Sequence, residues 1–121
     1  MAFYLEGKPM NEPFLAERNR VLALLSIYEP LLTDKQREAV DDYYRFDLSL
    51  GEISEETGTS RAAVSDAIKK TIAKLEEFES RLALLSKKEA WAKRAEEASL
   101  LPGDQQADAY RTLTEDMIHG L

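Results

Sequence analysis

The chain has 121 residues, of which 44% are hydrophobic and 32% charged, a composition typical of one folded globular domain. It has no cysteine and a single histidine, His119, which excludes disulfides and thiol nucleophiles and leaves little material for a metal site. Its longest apolar run, residues 21–25, is far shorter than the roughly 20 residues of a membrane-spanning helix. We therefore expect a cytoplasmic, non-enzymatic protein with no metal, cofactor, small-molecule substrate or membrane insertion.

The charge is acidic overall but unevenly distributed. Sixteen lysines and arginines stand against 23 aspartates and glutamates, a net charge of −7, which argues against indiscriminate nucleic-acid binding. Residues 61–74 nevertheless carry four cations against one carboxylate, and residues 81–94 carry five against one. Positive charge is therefore concentrated in two local patches on an acidic background.

The apolar spacing predicts an all-α chain, because no stretch shows the strict alternation of a half-buried strand. Residues 1–12 contain glycine, proline and asparagine and predict a flexible N-terminal arm. The first helix is predicted over residues 13–28, with a proline at its start and Pro30 after its end. The pair Thr33 and Gln36 has the spacing of a capping box and predicts a second helix over residues 34–45.

A second capping box, Ser49 with Glu52, predicts a short third helix over residues 50–57. Gly58 follows where a left-handed residue commonly ends a helix, and Ser60 is positioned to cap the next one. We expect that fourth helix to run unbroken over residues 61–101. After a turn at residues 102–103, Asp104 is expected to cap a last helix over residues 105–119, with Ala109, Leu113 and either Met117 or Ile118 facing inward.

The fourth helix carries a regular pattern with spacings of 4, 3, 4, 3, 4 and 3 residues, made of Val64, Ile68, Thr71, Leu75, Phe78, Leu82 and Leu85. This is a heptad stripe, which needs a partner helix from the same chain or from a second copy. We expect the first half of the stripe to pack against the adjoining short helix. Its second half predicts a packing or homodimer stripe, made of Leu75, Phe78, Leu82 and Leu85. The domains expected are an arm over residues 1–12, a helix-turn-helix domain over 13–86 and a C-terminal helical hairpin or oligomerisation extension over 87–121.

Residues 49–70 have the spacing of a helix-turn-helix motif, with two helices joined by a tight glycine-containing turn. In such a motif the second helix presents its N-terminal residues to the major groove. The residues expected to bind nucleic acid are Ser60, Arg61, Ser65, Lys69, Lys70 and Lys74. Ala62 and Ala63 offer no side-chain hydrogen bond, and Asp66 would repel phosphate, so packing alone is the competing interpretation.

Residues 32–85 closely resemble the YlxM family of small bacterial helix-turn-helix proteins, which are similar to region four of sigma factors. The closest cues are Leu32-Thr33-Asp34-Lys35-Gln36-Arg37, Ser49-Leu50-Gly51-Glu52-Ile53, Ser60-Arg61 with Ala63-Val64, and Ile68-Lys69. The resemblance implies an all-α fold with a sigma-like helix-turn-helix, a leading helix and a long C-terminal helical hairpin. It also implies an accessory role in protein targeting by the signal recognition particle, through binding of particle RNA or of the targeting GTPase.

The chain departs from the pattern of that family at three positions of the recognition helix. Ala62, Ser65 and Ala67 stand where we expect a glutamine, an aromatic residue and an asparagine. These replacements weaken the case for base-specific readout and leave backbone contacts open. A protein–protein adaptor that keeps the motif as a scaffold, and a sequence-specific DNA-binding transcription regulator, therefore remain alternatives.

Two aromatic features have both structural and binding interpretations. The cluster of Tyr43, Tyr44 and Phe46 is expected to be part of the core, with a stacking platform for RNA bases as the alternative. Trp91 lies in the second basic stretch and is expected to be half-buried in the C-terminal hairpin. It could instead anchor RNA or a protein partner.

Overall fold

The computed structural model describes residues 4–5, 8–9 and 11–120, with side chains from residue 11 onward. The chain forms two compact units, residues 1–82 and 83–121. This boundary lies four residues before the one expected from the sequence. The described part of the chain consists of helices and short connections, apart from one short antiparallel pair, β1 (Tyr4–Leu5) and β2 (Lys8–Pro9). The rest of the predicted N-terminal arm lies mostly outside the described residues.

The first unit contains four α-helices: α1 (Glu12–Tyr28), α2 (Asp34–Val40), α3 (Leu50–Thr57) and α4 (Arg61–Leu82). A 3-10 turn, Glu29–Leu31, joins α1 to α2. The second unit is a pair of helices, α5 (Leu84–Ser99) and α6 (Gly103–His119). The all-α fold expected from the sequence is confirmed.

Local sequence signals account for most helix ends in the first unit. The Asn11 side chain accepts a hydrogen bond from the Phe14 amide and begins α1. Both predicted capping boxes are formed, at Thr33 with Gln36 and at Ser49 with Glu52. Gly58 ends α3 in the left-handed region, at a φ of +70°, which only glycine adopts without steric cost.

The second helix ends earlier than predicted. It ends at Val40 and is followed by a π-helical turn, Asp41–Arg45, in which the Phe46 amide donates a hydrogen bond to the Asp41 carbonyl. This wider turn buries Tyr44, but it leaves Phe46 67% exposed, so the expectation that Phe46 belongs to the core is wrong. The Arg18 guanidinium donates to the Tyr44 carbonyl at 2.8 Å and so satisfies part of the irregular backbone.

The core of the first unit lies where α1, α2 and α3 pack against α4, with the π-helical turn packed against α1 and α3. Phe14 stacks on Tyr44 with ring centroids 5.9 Å apart, and Tyr28 lies at the same distance from Phe78. The most buried apolar side chains come from all of these elements: Val21, Leu24, Leu25, Tyr28, Val40, Tyr44, Ile53 and Leu75.

The fourth helix ends at Leu82, not at residue 101 as the sequence predicts, because Ala83 takes a left-handed conformation with φ of +52°. Its buried face also departs from the heptad. Val64, Ile68, Thr71 and Leu75 are buried as the stripe predicts, but the next buried residue is Glu79. A straight helix drifts about 20° per heptad, which turns the later apolar positions away from the core.

In the second unit, α6 begins at Gly103, and the Pro102 carbonyl, not Asp104, accepts its first amides. The Gln106 side chain donates hydrogen bonds to the carbonyls of Ser99 and Leu101, which have no donor partner within the helix at the C-terminal end of α5. Leu113 is buried as predicted. Met117 and Ile118 are 38% and 70% exposed, so the inward orientation expected for one of them is wrong.

Candidate nucleic-acid interface

Helix α3, the turn at Gly58 and helix α4 form the predicted helix-turn-helix. Ser60 begins α4 and accepts a hydrogen bond from the Ala63 amide, so its side chain acts as the helix cap. Ile53 of α3 and Val64 and Ile68 of α4 are buried and hold the two helices together. The N-terminal half of α4 is therefore fixed on a packed base, with its remaining sides exposed.

The predicted binding residues of α4 fall into two rows. Residues four apart follow one another along a helix, and successive residues differ by about 100°. One row, named here the Arg61 row, consists of Arg61, Ser65 and Lys69. The other, the Asp66 row, lies about 100° further round and consists of Asp66, Lys70 and Lys74.

The cations of the Asp66 row already have partners within the chain. The Lys70 ammonium lies 2.9 Å from the Asp66 carboxylate, and the Lys74 ammonium lies 5.6 Å above the centre of the Phe78 ring. Both lysines are exposed, so these interactions contribute little to stability. They do reduce the positive charge that this row offers to a phosphate.

The Arg61 row is bordered by residues that the sequence analysis did not single out. A Cβ added at Gly51 would lie 2.8 Å from Nη2 of Arg61, so the guanidinium rests on the bare backbone of α3. A glycine inside a helix often marks a place where another group comes close to the backbone. Gly51 was therefore the signal in the sequence that could have indicated this contact. The absence of a side chain at Gly51 thus determines where the Arg61 guanidinium can lie.

Ser65 and Lys69 border a cavity of about 180 Å³ together with Tyr43, Leu50 and Glu17. Glu17 accepts a hydrogen bond from the Tyr44 hydroxyl at 3.0 Å. Burial, reinforced by the Glu17 charge, raises the pKa of Tyr44 well above its usual range, and the same two causes raise the pKa of Tyr43. Among the described residues no cation-to-carboxylate pair involves Lys69, which makes it the most available lysine of this face.

The residues of the predicted homodimer stripe are placed differently from one another. Leu75 is buried in the core of the first unit, and Phe78 packs on Tyr28. Leu82 is 45% exposed at the end of α4, whereas Leu85, in the second unit, is buried. Trp91 of α5 is half-buried, in agreement with the structural interpretation of that residue.

Comparison with protein families gives a match to the UPF0122 family of YlxM/p13-like helix-turn-helix proteins, over residues 15–111. The chain belongs to this family. The matched residues run from the second turn of α1 into α6 and so include the whole helix-turn-helix. No helix of the described residues is both long and apolar enough to cross a membrane.

Individual UPF0122 proteins are similar to about 60% of the chain. A UPF0122 protein of Pediococcus pentosaceus is 53% identical over 72 residues, which cover 60% of this chain and 64% of the relative. UPF0122 proteins of Bacillus thuringiensis and Bacillus mycoides are each 52% identical over 73 residues, covering 60% of this chain and 66% of the relative. The chain thus matches slightly less than two thirds of the length of these relatives.

Proposed function

We propose that this UPF0122 protein is a non-enzymatic regulator that contacts the nucleic-acid backbone through the Arg61 row. The observation that carries the proposal is the arrangement of α4, where Arg61 and Lys69 share one exposed side at the open end of a helix-turn-helix. Lys70 and Lys74 are secondary contacts, because each has a partner within the chain. Phosphate contact positions a protein on nucleic acid without reading its sequence.

The resemblance to the YlxM family supports a more specific role, as a cytoplasmic accessory factor of the signal recognition particle. The ligand would then be particle RNA, with the targeting GTPase as a further partner. The small side chains of Ala62 and Ser65 support backbone contact over base readout, since neither can make the bidentate hydrogen bonds that distinguish bases. A sequence-specific DNA regulator is therefore the less favoured alternative.

A protein–protein adaptor is the second candidate function. The observation that favours it is the acidic character of the chain, with a net charge of −7 and a carboxylate, Asp66, in the second turn of the recognition helix. Homodimer formation through Leu82 is compatible with either function, because an exposed leucine at the end of α4 lies outside the core of the first unit.

The decisive experiment measures anisotropy of labelled particle RNA and of a random duplex-DNA pool over a salt series. We expect salt-dependent RNA binding, which Lys69→Glu weakens while lowering the slope of log K against log salt by about one. Lys93→Glu makes the same charge change on α5 and is the matched control. A specificity ratio above about 10³ for one duplex would indicate a DNA regulator instead.

Absence of binding to both nucleic acids at low salt would contradict the proposal and favour the adaptor. Equal losses for Lys69→Glu and Lys93→Glu would show that binding does not depend specifically on the Arg61 row, but on overall charge or on the second basic stretch around Trp91. Lys74→Glu adds a further test, because its side chain lies on a different side of α4. We expect a smaller loss from Lys74→Glu than from Lys69→Glu.

A further inference from the structure

A second cavity lies on the other flank of the recognition helix, between α2, α3 and α4. Its volume is about 270 Å³. Ala63 and Ala67 line it from α4, each about 200° around the helix from Arg61 and Ser65 respectively. It is also lined by Lys35, Glu38, Ala39, Asp42, Ile53 and Val64. We name this space the α2–α4 cavity.

The inner surface of the α2–α4 cavity is mostly apolar. Ile53 and Val64 are almost completely buried, and the alanines of α2 and α4 leave space that larger side chains would fill. The volume is sufficient for one long side chain. An occupant with an aliphatic stem would therefore remove apolar surface from water.

One edge of the cavity is acidic. Glu38 and Asp42 are one helical turn apart, and burial raises the pKa of Asp42, with repulsion from Glu56, Glu38 and Asp41 adding to the effect. Within the part of the chain that the structure describes, no ion pair joins Glu38, Asp42 or Glu56 to a cation. Lys35 is the only cation among the lining residues. A positive charge placed at this edge would relieve a repulsion that the chain leaves uncompensated.

Arginine and lysine combine the two properties that this cavity requires. Their aliphatic stems pack on apolar surface while the charged head remains at the solvent-exposed edge. A nucleic-acid phosphate is disfavoured here, because Glu38 and Asp42 would repel it. We propose that the α2–α4 cavity is a docking site for an arginine- or lysine-bearing segment of a partner protein, whose charged head pairs with Glu38 and Asp42.

This site is separate from the Arg61 row and goes beyond the proposed nucleic-acid contact. The two surfaces lie on different sides of α4, so occupation of one leaves the other accessible. The protein would then hold a nucleic acid on one side of a helix and a basic protein segment on the other. Failure of either proposal leaves the other standing, since they share no residue.

The test uses the full chain, labelled with ¹⁵N, and a short helical peptide of alanine, leucine and regularly spaced arginine. The same peptide with glutamine in place of arginine is the control probe. We expect the arginine peptide to shift the amide resonances of Ala39, Ala63 and Ala67, and the glutamine peptide to leave them unchanged. Shifts confined to other helices would overturn the proposal.

Two kinds of variant distinguish docking from general attraction between opposite charges. We expect Glu38→Gln/Asp42→Asn to weaken binding of the arginine peptide about fivefold to tenfold, as loss of one exposed and one half-buried ion pair implies. Glu96→Gln/Glu97→Gln removes the same charge from α5 and should change the affinity less than twofold, to within about 0.4 kcal/mol. Ala67→Leu fills the cavity without changing charge and should reduce binding as strongly as the double variant.

If the two double charge variants weaken peptide binding equally, the attraction is non-specific and the proposed site is contradicted. Sedimentation without peptide tests one other occupant. A concentration-dependent dimer that Glu38→Gln/Asp42→Asn abolishes would place a second copy of this chain in the cavity, and would overturn the assignment to a different protein. Circular dichroism of each variant separates loss of binding from loss of fold.

Discussion

The Tyr28 hydroxyl donates a hydrogen bond of 2.5 Å to the Glu79 carboxylate, joining the end of α1 to α4 across 51 positions of sequence. Glu79 is only 7% exposed, and it lies one position after Phe78, the residue that the heptad stripe predicts in the core. A buried carboxylate is costly unless hydrogen bonds satisfy it. This pair therefore helps to determine how α1 packs against the recognition helix.

We expect Tyr28→Phe to destabilise the protein by about 1–3 kcal/mol, because it removes a donor from a buried carboxylate while keeping the ring that packs on Phe78. Urea unfolding followed by circular dichroism measures the change. Glu76→Gln is the control on the same helix. Its partner Arg20 is exposed, so its loss should cost less than about 1 kcal/mol. Equal costs for the two variants would show that burial of Glu79 is not decisive.

Gly51→Ala should keep or slightly raise stability, because alanine is the better helix former by up to about 1 kcal/mol and the Arg61 guanidinium can move away. The displaced guanidinium should change RNA affinity in the anisotropy assay. Gly58→Ala is the contrasting variant, and we expect it to destabilise the protein because φ is +70° there. Unchanged RNA affinity in Gly51→Ala would exclude a role for the position of Arg61.

Asp42→Asn should raise the melting temperature at neutral pH. The pKa of Asp42 is raised by burial and by neighbouring carboxylates, so its charged form disfavours the folded state. The protonated Asp42 carboxyl makes its full contribution to the free energy of unfolding below its ordinary pKa of 3.8. That contribution is lost as pH rises through the higher pKa of the folded state. Calorimetry should therefore show a higher melting temperature for Asp42→Asn at pH 7, and no difference from the unaltered chain below the ordinary pKa. A gain that persists in acid would contradict the explanation.

Leu82→Asp should convert a homodimer into a monomer while residues 33–70 remain folded. Leu82 is 45% exposed at the end of α4, and a buried carboxylate in a dimer interface would be strongly disfavoured. Light scattering gives the mass, and circular dichroism gives the helix content. Leu100→Asp is the matched control, because Leu100 is 80% exposed. The same mass for Leu82→Asp and the unaltered chain would contradict the interface.

Features with local causes were predicted well from the sequence. The Ser49–Glu52 capping box and Gly58 determined the two ends of α3, and the Thr33–Gln36 capping box determined the start of α2, because each depends on side chains within a few residues of the helix end. The helix-turn-helix follows directly from these boundaries. The pairing of Lys70 with Asp66 also has a local cause, since residues four apart meet on a helix surface.

Features with distant causes were not predictable. Nothing in the sequence around Ala83 indicates a left-handed residue, since alanine is the strongest helix former. Burial of Glu79 depends on a tyrosine in another helix. The α2–α4 cavity requires three helices to converge, so no spacing along one of them indicates it.

The placement of the two candidate surfaces on opposite flanks of α4 has a consequence for genetics. A Lys69→Glu allele and a Glu38→Gln/Asp42→Asn allele would each damage one surface and preserve the other. If a single molecule must hold both partners at once, a cell that expresses both alleles has no competent molecule and shows the mutant phenotype. If the two surfaces act independently, the alleles complement each other.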